Sequence, residues 1–172
     1  MPLSLVGSEM CIRDRAWEHA SLPEDSAPFR LVRMRLGLVL SPDGGTLAKL
    51  LPIYKFGLGA PLGTGQQHMG WVHLDDVIQF IRWAAATPEV SGVYNVVAPR
   101  ANTNVEFSQS LAKALNRPHW APKVPAFALS LAMGEMSSLL LEGQNVRPSR
   151  LLKARFQWRH PDLLGALQHC TS

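Results

Sequence analysis

Residues 71–99 run WVHLDDVIQFIRWAAATPEVSGVYNVVAP, and this one segment changes its hydrophobic period twice. Trp71 to Leu74 reads as a short strand. Asp75 or Asp76 then stands where a helix N-cap is needed, and Val77, Ile78, Ile81 and Ala85 supply an apolar helical face. After the Thr87-Pro88 stop, GVYNVVAP returns to β-branched residues between Gly92 and Pro99, the mark of a second strand. A strand, a helix and a strand in succession predict a parallel α/β arrangement.

The flanking sequence extends this pattern. FRLVRMRLGLVLS, bounded by Pro28 and the turn SPDGG, predicts a further strand, although Arg30, Arg33 and Arg35 follow no single alternation. Leu47, Leu50, Leu51 and Tyr54 fall at helical spacing, with Pro52 placed to kink or shorten that helix. Glycines 57, 59, 63 and 65 then predict an irregular loop. From Ala101 the texture turns helical. TNVEFSQSLAKALNRP offers a capping pattern from Thr103 to Glu106 and a stripe of Val105, Phe107, Leu111 and Leu115. A buried helix is predicted over about 127–142, a short one in PSRLLKARF, a short strand in FQWRH and a last helix in PDLLGALQH. Three strands are too few for a doubly wound domain, so they read as its second half. The expected fold is α/β: the C-terminal part of a doubly wound parallel sheet with a small, mostly helical domain.

Composition excludes several classes of function. The 172 residues are 47% hydrophobic and 17% charged, as in an ordinary globular chain with one core. Cys11 and Cys170 permit no disulfide framework, which points to a reducing, cytoplasmic setting. PAFALSLAMGEMSSLLLEG carries Glu135, Ser137 and Ser138, so it predicts a buried helix rather than a membrane span. The net charge of +4 comes from arginines scattered singly, without a basic block or a stacking motif, and nucleic acid is not an expected partner. His19, His68, His73, His119, His160 and His169 show no ligand spacing, and the expectation is no metal site. Neither a nucleophile elbow nor a Walker-type phosphate loop occurs.

Residues 1–15 stand apart. SLVGSEMCIRDR has no period, and Leu5 to Arg15 back-translates to a sequence resembling the adaptor used in transposase-based sequencing libraries. These residues are expected to be a non-native, adaptor-derived segment that forms no packed element, with upstream sequence missing.

RMRLGLVLSPDGG, MGWVHLDDV and GVYNVVAP, in this order and spacing, resemble the second half of the extended short-chain dehydrogenase/reductases. The stretches DGGTLAKLLPIYKFGLGAPLGTGQQHMGWVHLDD, TNVEFSQSLAKALNRP, VPAFALSLAMGEMSSLLLEGQNVRP and LLKARFQWRHPDLLGAL are similar to the atypical family 39U of that superfamily. Its members are often called epimerase-family proteins and carry a C-terminal domain of unknown function. The resemblance covers nearly all of Ala16 to His169. It implies that residues 16–100 are the C-terminal part of a Rossmann-type dinucleotide-binding domain, with a substrate-side insertion over 44–70, and that 101–172 form the helical substrate domain.

It also implies NADP or NAD as cofactor and hydride transfer on a small carbonyl or alcohol. The alternative is a dinucleotide-binding protein without turnover. The family's glycine-rich turn is absent from this sequence, and its catalytic Tyr and Lys are expected upstream, so Tyr54 and Tyr94 are not candidates and the chain as given is expected to be inactive. On the cofactor side the resemblance points to Arg35, with Leu36, Gly37 and Leu38 offering backbone groups. On the substrate side it points to Gln66, Gln67, His68, Met69 and Trp71, expected around an apolar pocket. Met69 occupies a position held by a phosphate-binding arginine in sugar-nucleotide members, which argues against a nucleotide sugar. His73 and Asp76 match the superfamily's usual pair and are expected to be structural, the aspartate as a helix cap. Glu135 is expected to pair with an arginine such as Arg147.

Overall fold

The computed structural model describes residues 29–124 and 145–172. The adaptor-like segment, the helix expected over 127–142 and Glu135 lie outside them. Val32–Ser172 form one unit, distinct from Met1–Leu31.

The first predicted strand is present but divided. β1 (Val32–Leu36) and β2 (Leu38–Leu40) are separated by Gly37, where the chain changes neighbour. β1 pairs in parallel with β5 (Gly92–Val96), Leu36 opposite Val96. β2 pairs in parallel with β4 (Trp71–His73), Leu40 opposite His73. The change of neighbour demands a close approach: a Cβ on Gly37 would overlap the Gly70 carbonyl and lie 2.8 Å from Val97 Cγ1. In return, Leu38 N–H donates to Gly70 O at 2.7 Å, and Ala98 N–H to Trp71 O at 2.6 Å. A short antiparallel pair joins β3 (His68–Met69) to β6 (Asn102–Thr103).

Between these strands lie α1 (Gly45–Lys55) and α2 (Leu74–Ala86), and after them α3 (Asn104–Ala114), α4 (Ser149–Lys153) and α5 (Leu163–Thr171). Pro52 sits on the exposed side of α1, which ends three residues later. The apolar face of α2 differs from the expected one: Val77, Phe80 and Ala84 are buried, whereas Ile78, Ile81 and Ala85 face outward. Both sets obey helical spacing, and Asp76, which is drawn inward, fixes the rotation.

Among the described residues, two apolar cores result. Leu40 and Trp71 pack with Phe107, Leu111, Leu163 and Leu167, so strands and C-terminal helices share one core. Val72, Phe80, Tyr94, Val96, Leu151 and Phe156 form the other. The expected strand in FQWRH is corrected: residues 156–160 belong to no β-ladder. Phe156 and Trp158 instead stack edge-on at 5.2 Å between ring centroids, and Trp158 Nε1 donates to Val97 O at 3.1 Å.

The capping pattern of α3 is realised in full. Glu106 N–H donates to Thr103 Oγ1 at 3.3 Å, and Thr103 N–H to Glu106 Oε2 at 3.0 Å. The Thr103 backbone bond, then the Asn102 amide, holds the Glu106 carboxyl below the usual glutamate range. A depressed folded-state value stabilises the protein above the unfolded value and loses that contribution as pH falls through the folded one. Glu106→Gln, which cannot ionise, is therefore expected to lose less stability than the parent below about pH 4.5. Superimposable stability–pH profiles from denaturant titrations would contradict this origin.

Candidate functional site

The parallel pair β1–β5 delivers two carboxyl ends to one edge, and the residues expected on the cofactor side gather there. Arg35 and Leu36 are exposed at the end of β1, and Gly37 allows the backbones to converge. Leu38 is half-buried, and its N–H is committed to Gly70, so it has no such donor to offer a ligand.

Beyond the end of β5, Pro99, Arg100 and Ala101 wall one side of a pocket of about 300 Å³, with His68, Asn145, Arg147 and Leu152 completing it. Arg100 also reaches Glu106 Oε1 at 3.3 Å across an exposed surface. Two elements hold the far wall in register with the strand. Asn95 Nδ2 donates to Arg147 O at 3.2 Å, and Arg150 donates to Val93 O and Ser91 O at 2.8 and 2.9 Å. The Arg150 guanidinium also lies 4.1 Å from the Tyr94 ring centroid, a cation–π contact.

Of the five residues expected on the substrate side, His68 alone lines this pocket. Gln66 is exposed, with its N–H directed to Thr64 Oγ1. Gln67 Nε2 donates to Leu62 O at 3.0 Å. Met69 Sδ accepts from Asn104 Nδ2 at 3.3 Å. Trp71 is 1% exposed, a core residue rather than a pocket wall, and its Nε1 donates to Asn102 Oδ1 at 3.0 Å. The buried Asn104 organises the group, accepting from Leu62 N–H and giving its own N–H to Gln67 O. The pocket wall is mixed, with Pro99, Ala101 and Leu152 beside arginines that arrive from the strand end and from the segment before α4.

Tyr54 is not placed for proton transfer at an open site. Its hydroxyl is buried 2.6 Å from Ser108 Oγ, which lies 2.7 Å from His119 Nε2, and burial pushes the phenol above its usual range.

The β4–α2 corner holds the other concentration of polar groups. Helix α2 is capped by His73, not by an aspartate: Asp75 N–H donates to His73 Nδ1 at 3.1 Å. The buried Asp76 instead accepts from Arg159 N–H at 2.6 Å and His160 N–H at 3.2 Å, which fastens the segment before α5 to this corner. His160 Nε2 lies 3.3 Å from Asp75 Oδ2, and His169 Nδ1 lies 3.2 Å from His73 Nε2. Burial, then the neighbouring His160, lowers the pKa of His73. Burial pushes Asp75 upward, but the His160 hydrogen bond and the three imidazoles outweigh it and hold the carboxyl below its usual range. Beside them the buried Cys170 thiol is pushed up to about 11, so it stays protonated and unreactive near neutrality. Spacing along the chain does not announce the histidine group, since 96 positions separate two of its members.

A family described as a domain of unknown function (DUF1731) matches residues 124–170. An epimerase family protein of Mycobacterium bovis is 38% identical over 167 residues, 96% of this chain and 54% of the relative. The epimerase family protein SDR39U1 of Mus musculus is 40% identical over 154 residues, 88% of this chain and 52% of the relative. The crystal structure of human epimerase family protein SDR39U1 (isoform 2) with NADPH superposes with a TM-score of 0.84 at 37% identity, covering 91% of this chain and 53% of that one. The chain thus spans about half the length of the relatives it matches. Among the described residues, no helix is long and apolar enough to cross a membrane.

Proposed function

The chain belongs to the SDR39U1-type epimerase family, whose C-terminal portion it matches, and from that premise we propose that it supplies the nicotinamide-side strand ends and the substrate pocket of a cytoplasmic NADP- or NAD-dependent oxidoreductase. The observation that carries this reading is the pocket at the carboxyl end of β5, because open α/β sheets bind ligands outside the carboxyl ends of their strands. The crystal structure of the human relative is with NADPH, which favours NADP over NAD.

The side chains fit a dinucleotide in part. The guanidinium of Arg35 suits a phosphate or carboxamide oxygen, and Gly37 permits backbone approach. The sequence contains no glycine-rich turn for a pyrophosphate. When bound, the dinucleotide would supply or accept the hydride. This chain's task is to position a small carbonyl or alcohol, with His68, Arg100 and Arg147 as donors to its polar or anionic end. A small molecule is the proposed partner, without nucleic acid or membrane.

The test joins this chain in frame to the N-terminal half of the Mycobacterium bovis relative and follows NADPH oxidation with a panel of small aldehydes and ketones. Turnover of at least one is expected. Arg147→Ala should raise KM by about tenfold or more with kcat nearly unchanged, the loss of one charged hydrogen bond. NADPH binding without turnover of any carbonyl would instead support a dinucleotide-binding protein that does not catalyse.

A further inference from the structure

We propose that His73, Asp75, His160 and His169 form a binding site for a divalent transition metal of the zinc class, which clamps α5 to the β4–α2 corner. One ligand atom from each residue lies within 4.8 Å of all the others. Two of the separations are shorter still: His73 Nε2 to His169 Nδ1 is 3.2 Å, and His160 Nε2 to Asp75 Oδ2 is 3.3 Å. Four ligands at about 2.0–2.2 Å from a tetrahedral zinc stand roughly 3.3–3.6 Å apart, so small side-chain adjustments would close the shell.

The imidazoles are packed on one another, with ring centroids 3.9, 4.7 and 5.0 Å apart. Such a cluster is unfavourable when more than one ring is protonated, and Asp75 is the carboxylate that reaches it. A divalent cation resolves this by taking all three lone pairs and the carboxylate at once. Three imidazoles and one carboxylate select zinc or its late transition neighbours and reject magnesium and calcium, which require mainly oxygen ligands. Four protein donors leave no open position, so the role is structural. Ligation through His73 Nε2 moves its proton to Nδ1 and gives up the hydrogen bond from Asp75 N–H; Nδ1 then faces Asp75 Oδ2. Asp75 also lines a pocket of about 490 Å³ with Gln79, Arg82 and Arg159.

The full chain, stripped with chelator, would be titrated with zinc chloride by calorimetry, and then with cobalt(II) while its visible spectrum is recorded. One equivalent should bind, with a rise in Tm, a tetrahedral cobalt band and no response to magnesium. His160→Asn and His169→Asn, on less buried positions, should each weaken zinc at least 100-fold and abolish the Tm rise. His68→Asn should change neither. Zinc binding that survives both cluster substitutions, or a cobalt spectrum of octahedral type in the folded parent, would overturn the proposal.

Discussion

Asp76→Ala is expected to destabilise the protein by about 3 kcal/mol, because two backbone N–H groups lose a buried charged acceptor at once. Asp76 is 1% exposed, and its two oxygens take Arg159 N–H and His160 N–H separately, so no solvent stands ready to replace the carboxylate. For a chain of this size the loss corresponds to a fall in Tm of roughly 6–12 °C. Asp76→Asn keeps one acceptor and places an amide N–H₂ against a backbone donor, and should fall between the two. The damage should concentrate in residues 156–162, which carry Phe156 and Trp158 into the second core. Thermal and denaturant unfolding of the three proteins measures the effect, and a loss below about 1 kcal/mol would mean that the segment is held by its aromatic residues alone.

Gly37→Ala should cost a similar amount, near the upper end of the roughly 1–3 kcal/mol typical of overpacking. The atoms that a Cβ would meet are backbone, the Gly70 carbonyl with its carbon at 2.7 Å, together with Val97 Cγ1. A side chain could turn aside, but a carbonyl that accepts the Leu38 N–H bond cannot move without opening the β2–β4 junction. Amide exchange should therefore quicken at Leu38 and Ala98 before it changes in α3 or α5. Unchanged protection at those two amides in Gly37→Ala would show that the strands tolerate separation.

The sequence pattern carries the elements further than it carries their contacts. Thr103 and Glu106 form the capping box that their spacing announces, because both partners lie within one helical turn. Helix α2 is legible as a helix, but its inward face is not. Val77, Phe80 and Ala84 keep the same spacing as Ile78, Ile81 and Ala85, and the bonds from Asp76 to Arg159 and His160, more than eighty positions away, favour the first set. FQWRH alternates as a strand does, with Phe156, Trp158 and His160 directed inward, yet the N–H groups of its last two residues bond to a carboxylate rather than to a neighbouring strand.

The site follows the same logic. Gly37 at a strand end is readable because close backbone approach requires glycine. Trp71, expected at a pocket, lies in the core, since an amphipathic ring satisfies its one donor internally through Asn102. Arg100 and Arg147 reach the pocket from segments far apart in sequence, and the histidine cluster is assembled in the same way. Local spacing cannot report either.

The carboxyl ends of β1 and β5 are proposed to form one part of a dinucleotide site. Amide chemical shifts of the isotope-labelled chain, followed during titration with NADPH, examine this without any need for turnover. A charged hydrogen bond of about 1.5–3 kcal/mol cannot offset an association cost of roughly 4 kcal/mol or more. Small shifts confined to Arg35–Leu38 and Pro99–Ala101, without saturation below about 1 mM, are expected. Saturable micromolar binding would show that the chain carries a complete cofactor site, and shifts that spare both strand ends would contradict the assignment.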